Sequence, residues 1–76
     1  MSTEEQVKKI VLELLDVDEQ RVVPEARLRD LGATSIDMVE LFTALENELD
    51  VEVADEDVAE LTTVQSIVDY VNIKTS

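Results

Sequence analysis

Asp30-Leu31-Gly32-Ala33-Thr34-Ser35-Ile36-Asp37-Met38-Val39-Glu40-Leu41 is the stretch whose reading decides the fold. Thr34 is a good helix N-cap, and Asp37 falls three residues later, where a carboxylate reaches back to the cap. The helix it opens should run to about Leu49. Met38, Leu41, Phe42, Leu45 and Leu49 make a core-facing stripe on it. Ile36 and Val39 leave apolar surface on a different side. Gly32 is the only glycine, placed where the chain needs a backbone shape that other residues resist. Ser35, at the helix start, sits among backbone N–H groups without helical partners and at the positive end of the helix dipole. A phosphate ester is well tolerated in such a place.

Working outward, Val7, Ile10, Val11, Leu14 and Leu15 form one apolar stripe at helical spacing. They predict a helix from about Thr3 to Leu15, opened by a Thr3–Gln6 capping box. Asp16 to Thr34 reads as a long connection, broken by Pro24 and pinned to the core by Leu28 and Leu31. Asp50 to Asp57 reads as an extended acidic loop, and Asp55 as the cap of a short helix through Val58, Ala59 and Leu61. A Thr62–Gln65 box with Val64, Ile67, Val68 and Val71 predicts a last helix ending near Val71, with Asn72 to Ser76 frayed. The expected architecture is all-α: a small four-helix bundle of three main helices and one short one, with a long first loop, in a single domain over 1–76.

Composition excludes much chemistry. With 76 residues, the chain buries only about 60% of the surface its unfolded form exposes, so the core is small. It has no cysteine and no histidine. A thiolate nucleophile, a disulfide and a Ser-His-Asp machine are therefore impossible within it. Ser35 has no base to activate it, so any chemistry on it belongs to another protein. One glycine and one proline argue against a β-rich fold, which needs frequent turn residues.

Nineteen acids against six bases give a formal net charge of −13. Nucleic acid and anionic membrane surfaces are repelled, and partners should carry basic patches. Between Asp30 and Ile73 there is no base and there are twelve acids. Met-Ser-Thr-Glu-Glu has neither the basic start nor the apolar run of a signal peptide, and no apolar run is long enough to span a membrane. The expectation is a cytoplasmic monomer with no membrane insertion. The acids Asp50, Glu52, Asp55, Glu56 and Asp57 lack the glycine and ligand spacing of a calcium-binding loop, so no specific metal site is expected.

Taken together, these residues resemble the acyl carrier protein family. The resemblance peaks at Asp30-Leu31-Gly32-Ala33-Thr34-Ser35-Ile36-Asp37 with Val39-Glu40-Leu41 and Ala44-Leu45-Glu46. It extends from Glu4-Glu5-Gln6-Val7-Lys8-Lys9-Ile10 to Thr62-Thr63-Val64-Gln65 and Asp69-Tyr70-Val71. It implies a non-catalytic carrier with phosphopantetheine, transferred from coenzyme A by a phosphopantetheinyl transferase, on Ser35. It implies that Asp37, Glu40, Glu46 and Glu48 form the face read by basic patches on acyl-loading, condensing and acyl-transfer enzymes, with apolar contacts from Met38 and Val39. It implies that Leu28, Leu41, Leu45, Leu61, Ile67 and Tyr70 line or close an acyl cavity. The chain departs from the family pattern where Thr34 replaces the usual Asp and Ile36 the usual Leu. Fatty-acid or related lipid synthesis is the expected setting. Open alternatives are a specialised carrier for polyketide, aminoacyl or modified-lipid synthesis, and an acidic adaptor that is never modified.

Overall fold

Ser2 and Glu5 open the first helix, α1 (Thr3–Leu14), in the computed structural model, which describes residues 2–76. Of the single domain expected over 1–76, Met1 lies outside the described residues. The capping box is Ser2–Glu5, one residue earlier than the expected Thr3–Gln6 pair. Glu5 accepts from the Ser2 backbone N–H at 3.3 Å and from its hydroxyl at 3.0 Å, and Ser2 Oγ accepts from Glu5 N at 3.2 Å. Both pairs have capping-box spacing, and a carboxylate makes the stronger, charge-assisted bonds. The Ser2 backbone N–H, and then its hydroxyl, hold the Glu5 carboxyl below its ordinary value of 4.5. Val7 and Val11 are fully buried, and α1 packs against both other main helices.

The long first loop contains a short 3₁₀ helix, Glu19–Arg21, that periodicity did not reveal. Beyond it, the loop is anchored to the start of the last helix. Leu28 N donates to Thr62 O at 3.0 Å, Val64 N to Ala26 O at 3.0 Å and Gln65 N to Pro24 O at 2.9 Å. Arg27 and Thr63 form an isolated antiparallel bridge at this point. Leu28 and Leu31 are buried, as their isolation in a polar loop implied. The loop then turns through Gly32, whose φ is +92°. A Cβ there would meet nothing within 4 Å, so the backbone angle, not crowding, calls for glycine.

Helix α2 (Ser35–Leu49) starts and ends where the sequence places it. Asp50 ends it in the left-handed conformation at φ 53°, a place that aspartate tolerates better than most residues. The acidic segment after it has no regular structure over 51–54, with Ala54 extended, and then forms a 3₁₀ helix, Asp55–Glu60. Its N-cap is Ala54, not Asp55, and no side chain caps it. Helix α3 (Val64–Thr75) is capped by Thr63 and Ser66 rather than by Thr62 and Gln65. The Leu28–Thr62 bond and the Arg27–Thr63 bridge hold Thr63 extended, which moves the start one residue on.

The same helix continues past Val71 to Thr75, through the stretch expected to fray. Thr75 Oγ1 donates to Val71 O at 2.9 Å, and Lys74 Nζ lies 5.3 Å from the centre of the Tyr70 ring. A cation in the last turn also complements the helix dipole. The result is three main helices and two short 3₁₀ helices, of which Asp55–Glu60 is the expected fourth, around one apolar core, with no strand among the described residues.

Gly32→Ala should cost about 1–2 kcal/mol in a urea melt despite the empty space around it, because of the positive φ. The Glu5 carboxyl should titrate below 4.5 by NMR, and Ser2→Ala should return it towards that value. Because the folded value is depressed, this cap contributes above the ordinary glutamate pKa and is lost as pH falls through the lowered one.

Candidate functional site: a serine on the rim of an apolar cavity

The start of α2 is fixed from both sides. Asp37 N donates to Thr34 Oγ1 at 3.2 Å, and Thr34 N donates to Asp37 Oδ2 at 2.9 Å. Ahead of it, Gly32 N donates to Arg29 O at 3.0 Å and Ala33 N to Leu28 O at 3.1 Å. This tight turn brings Arg29 to the same rim as Ser35. Ser35 is the first residue of α2 and is exposed.

Ser35 lies on the edge of a cavity of 580 Å³ between α2, the end of the first loop and the Asp55–Glu60 helix. Leu28, Met38, Phe42, Val53, Val58 and Leu61 supply its apolar lining. Among the hydroxyls that line it, Thr34 is the helix cap and Thr43 Oγ1 donates to Val39 O at 2.9 Å. Ser35 and Thr62 also line it. Neither makes a side-chain hydrogen bond among the described residues, and only Ser35 stands at a helix start.

Two polar side chains hold the far wall. Val53 N donates to Glu46 Oε2 at 3.0 Å. Tyr70 Oη donates to Asp57 Oδ2 at 2.7 Å and accepts from Ala54 N at 3.3 Å. These bonds clamp the segment that carries Val53 and Val58 against α2 and α3.

Of the six residues expected around a cavity, Leu28 and Leu61 line this one. Leu41, Leu45 and Ile67 are buried in the helix core, and Tyr70 acts from behind by pinning the wall. Met38, Phe42, Val53 and Val58 complete the lining. Periodicity does not separate a cavity wall from a core.

The four acids expected on one face differ in their surroundings. Glu40 and Glu48 are exposed. Asp37 is half-buried and held in the capping box, and Glu46 is half-buried and turned to the Val53 amide. Ile36 and Val39 are 72% and 65% exposed beside them. Met38, by contrast, is half-buried and packs on the core. Among the described residues, no group of three or more acidic side chains is arranged to hold a metal ion, and no helix is long and apolar enough to cross a membrane.

A protein-family model described as the phosphopantetheine attachment site matches residues 5–71. Among solved structures, the chain is similar to the acyl carrier protein from Enterococcus faecalis, described for its high thermal stability. The identity is 31% and the TM-score 0.78, over 97% of this chain and 99% of that one.

Tyr70→Phe removes one bond to a carboxylate and leaves the Ala54 amide without its acceptor. It should cost about 1–2 kcal/mol and speed hydrogen exchange at Ala54 and Asp57 more than in α1.

Proposed function

The chain belongs to the acyl carrier protein family of phosphopantetheine-bearing domains, and from that premise we propose that Ser35 is its attachment residue and that it serves fatty-acid or related lipid synthesis. Its prosthetic group is a covalent phosphopantetheine, and its partners are a phosphopantetheinyl transferase and acyl-handling enzymes. When bound, that group supplies a terminal thiol on which acyl groups are carried as thioesters. The chain has no cysteine of its own, so the borrowed thiol is what gives it cargo capacity.

The observation that carries the reading is the place of Ser35. It is an exposed hydroxyl at the first residue of a capped helix, on the rim of a cavity with an apolar lining. The residues present fit the group. Ser35 offers the oxygen, and the amides of the first helical turn favour a phosphate ester. Thr34 and Asp37 hold that turn in shape whether or not anything is attached. With no histidine in the chain, the base that removes the Ser35 proton comes from the transferase.

Arrival of partners follows from charge. Glu40 and Glu48 are exposed on α2, and a net charge of −13 favours approach by basic surfaces. Ile36 and Val39 then supply apolar contact at the centre of that approach. The lining by Leu28, Phe42, Val53, Val58 and Leu61 supports an aliphatic cargo, because transfer of apolar surface from water is favourable there. The cytoplasm is the setting we infer for this work.

A second reading, a carrier specialised for another pathway, is favoured by Thr34 and Ile36 on either side of Ser35. Incubation with coenzyme A and a transferase should add one phosphopantetheine by intact mass, and Ser35→Ala should abolish the gain. A gain that persists in Ser35→Ala, or no gain with any of several transferases, would sink the assignment. Elongation on the modified protein by a purified fatty-acid system separates the two readings. Full rate supports the first and supports no specialisation.

A further inference from the structure

Arg29 is the one cation that lines the cavity with Ser35. It is exposed, and no carboxylate pairs with it among the described residues, where the ion pair is Lys8–Glu19 at 3.5 Å. The chain puts it there by the turn in which Gly32 N donates to Arg29 O and Ala33 N to Leu28 O. Its setting is otherwise acidic: Asp30 follows it, Asp37 caps the helix across the rim, Asp55 lines the same cavity, and no base occurs from Asp30 to Ile73. Of the other arginines, Arg21 donates to Asp30 O at 2.9 Å, and Arg27 stands in the bridge to Thr63 and does not line the cavity.

A phosphodiester on Ser35 would add a negative charge to a chain already at −13. Like charges close together are costly, and Asp55 lines the same cavity while Asp37 follows Ser35 two residues on in the same helical turn. An arginine offers a planar fork of donors that matches phosphate oxygens, and it stays charged at any working pH. We propose that Arg29 is the phosphodiester-binding side chain of this carrier, holding the root of the arm against the rim of the cavity. The proposal rests on Ser35 being the attachment residue. It assigns Arg29 a positioning role and no part in chemistry. It also gives the lone cation of this surface a use that the acidic partner face does not explain.

The test compares the full-length protein with Arg29→Gln, Arg29→Lys and Arg27→Gln, each modified by a transferase and coenzyme A. Intact mass is read first. No gain, or a gain that survives Ser35→Ala, overturns the attachment reading and the proposal with it. On the modified proteins, the readout is the phosphorus-31 resonance of the diester at low and high salt. Arg29→Gln should move it, Arg29→Lys should move it part of the way, and Arg27→Gln should leave it in place. The Arg29→Gln shift should shrink at high salt as screening weakens the native pair. A resonance unmoved by Arg29→Gln, or moved as far by Arg27→Gln, overturns the role of Arg29 while leaving Ser35 as the attachment residue. Arg29→Lys keeps the charge and therefore serves as the decisive variant should Arg29→Gln fail to fold: an unmoved resonance in it then overturns the proposal.

Discussion

Three backbone hydrogen bonds between the first loop and the start of α3 fix the geometry on which the rest of this molecule depends. A connection of this length, running from the end of α1 to Thr34, would ordinarily be the loosest part of a small helical protein. Here Pro24, Ala26 and Leu28 give their backbone groups to Gln65, Val64 and Thr62. The donors at the head of α3, which have no partner within their own helix, are satisfied by the loop. The loop in return acquires a fixed track. Leu28 is thereby driven into the core, Gly32 turns the chain, and Thr34 arrives where it can cap α2. The position of Ser35 is thus set by α3, a helix it does not belong to.

Charge and packing divide the work. The apolar core is small and continuous, built from α1 on one side and from α2 and α3 on the other. The surface carries the acids, and the single described ion pair, between half-buried Lys8 and exposed Glu19, adds little. Carboxylates that do structural work are few and specific. Glu5 and Asp37 close capping boxes, Glu46 accepts the Val53 amide, and Asp57 accepts the Tyr70 hydroxyl. Apart from Glu19, paired with Lys8, and Asp69, which accepts from Gln65 Nε2 at 2.8 Å, the remaining acids make no side-chain bond among the described residues.

Much of the fold and part of the site could be read from the residues, and the boundary between the two has a physical origin. The start of α2 was legible because every partner lies within four residues: Thr34 and Asp37 form the cap, and Gly32 forms the turn. The capping boxes of α1 and α3 were displaced by one residue because two overlapping pairs compete at each. At α1 a carboxylate decides between them, and at α3 the decision is made by Leu28 and Arg27, far away in sequence. Helix periodicity marked Leu41, Leu45 and Ile67 as inward-facing, which they are, but inward here means core. Glu46 looked like a surface acid because its partner is a backbone amide in another element. Arg29 carried no local signal beyond being the last base before a long acidic run.

The far wall of the cavity differs from its other sides in kind. α2 is an α-helix with a closed cap and three buried residues, whereas Asp55–Glu60 is a 3₁₀ helix with no side-chain cap and no buried residue. Such helices have poorer hydrogen-bond geometry and hold together only in short pieces. Segments with few buried contacts open by local unfolding, at a fraction of the free energy needed to unfold the whole chain. This gives the molecule a graded resistance: the helix bearing the serine is the firmer side, and the panel opposite it is held by two polar fastenings, Glu46 and Tyr70. For the carrier role proposed above, the least firmly held panel is the one that a cargo in this cavity would face, and the frame that positions the serine does not depend on it.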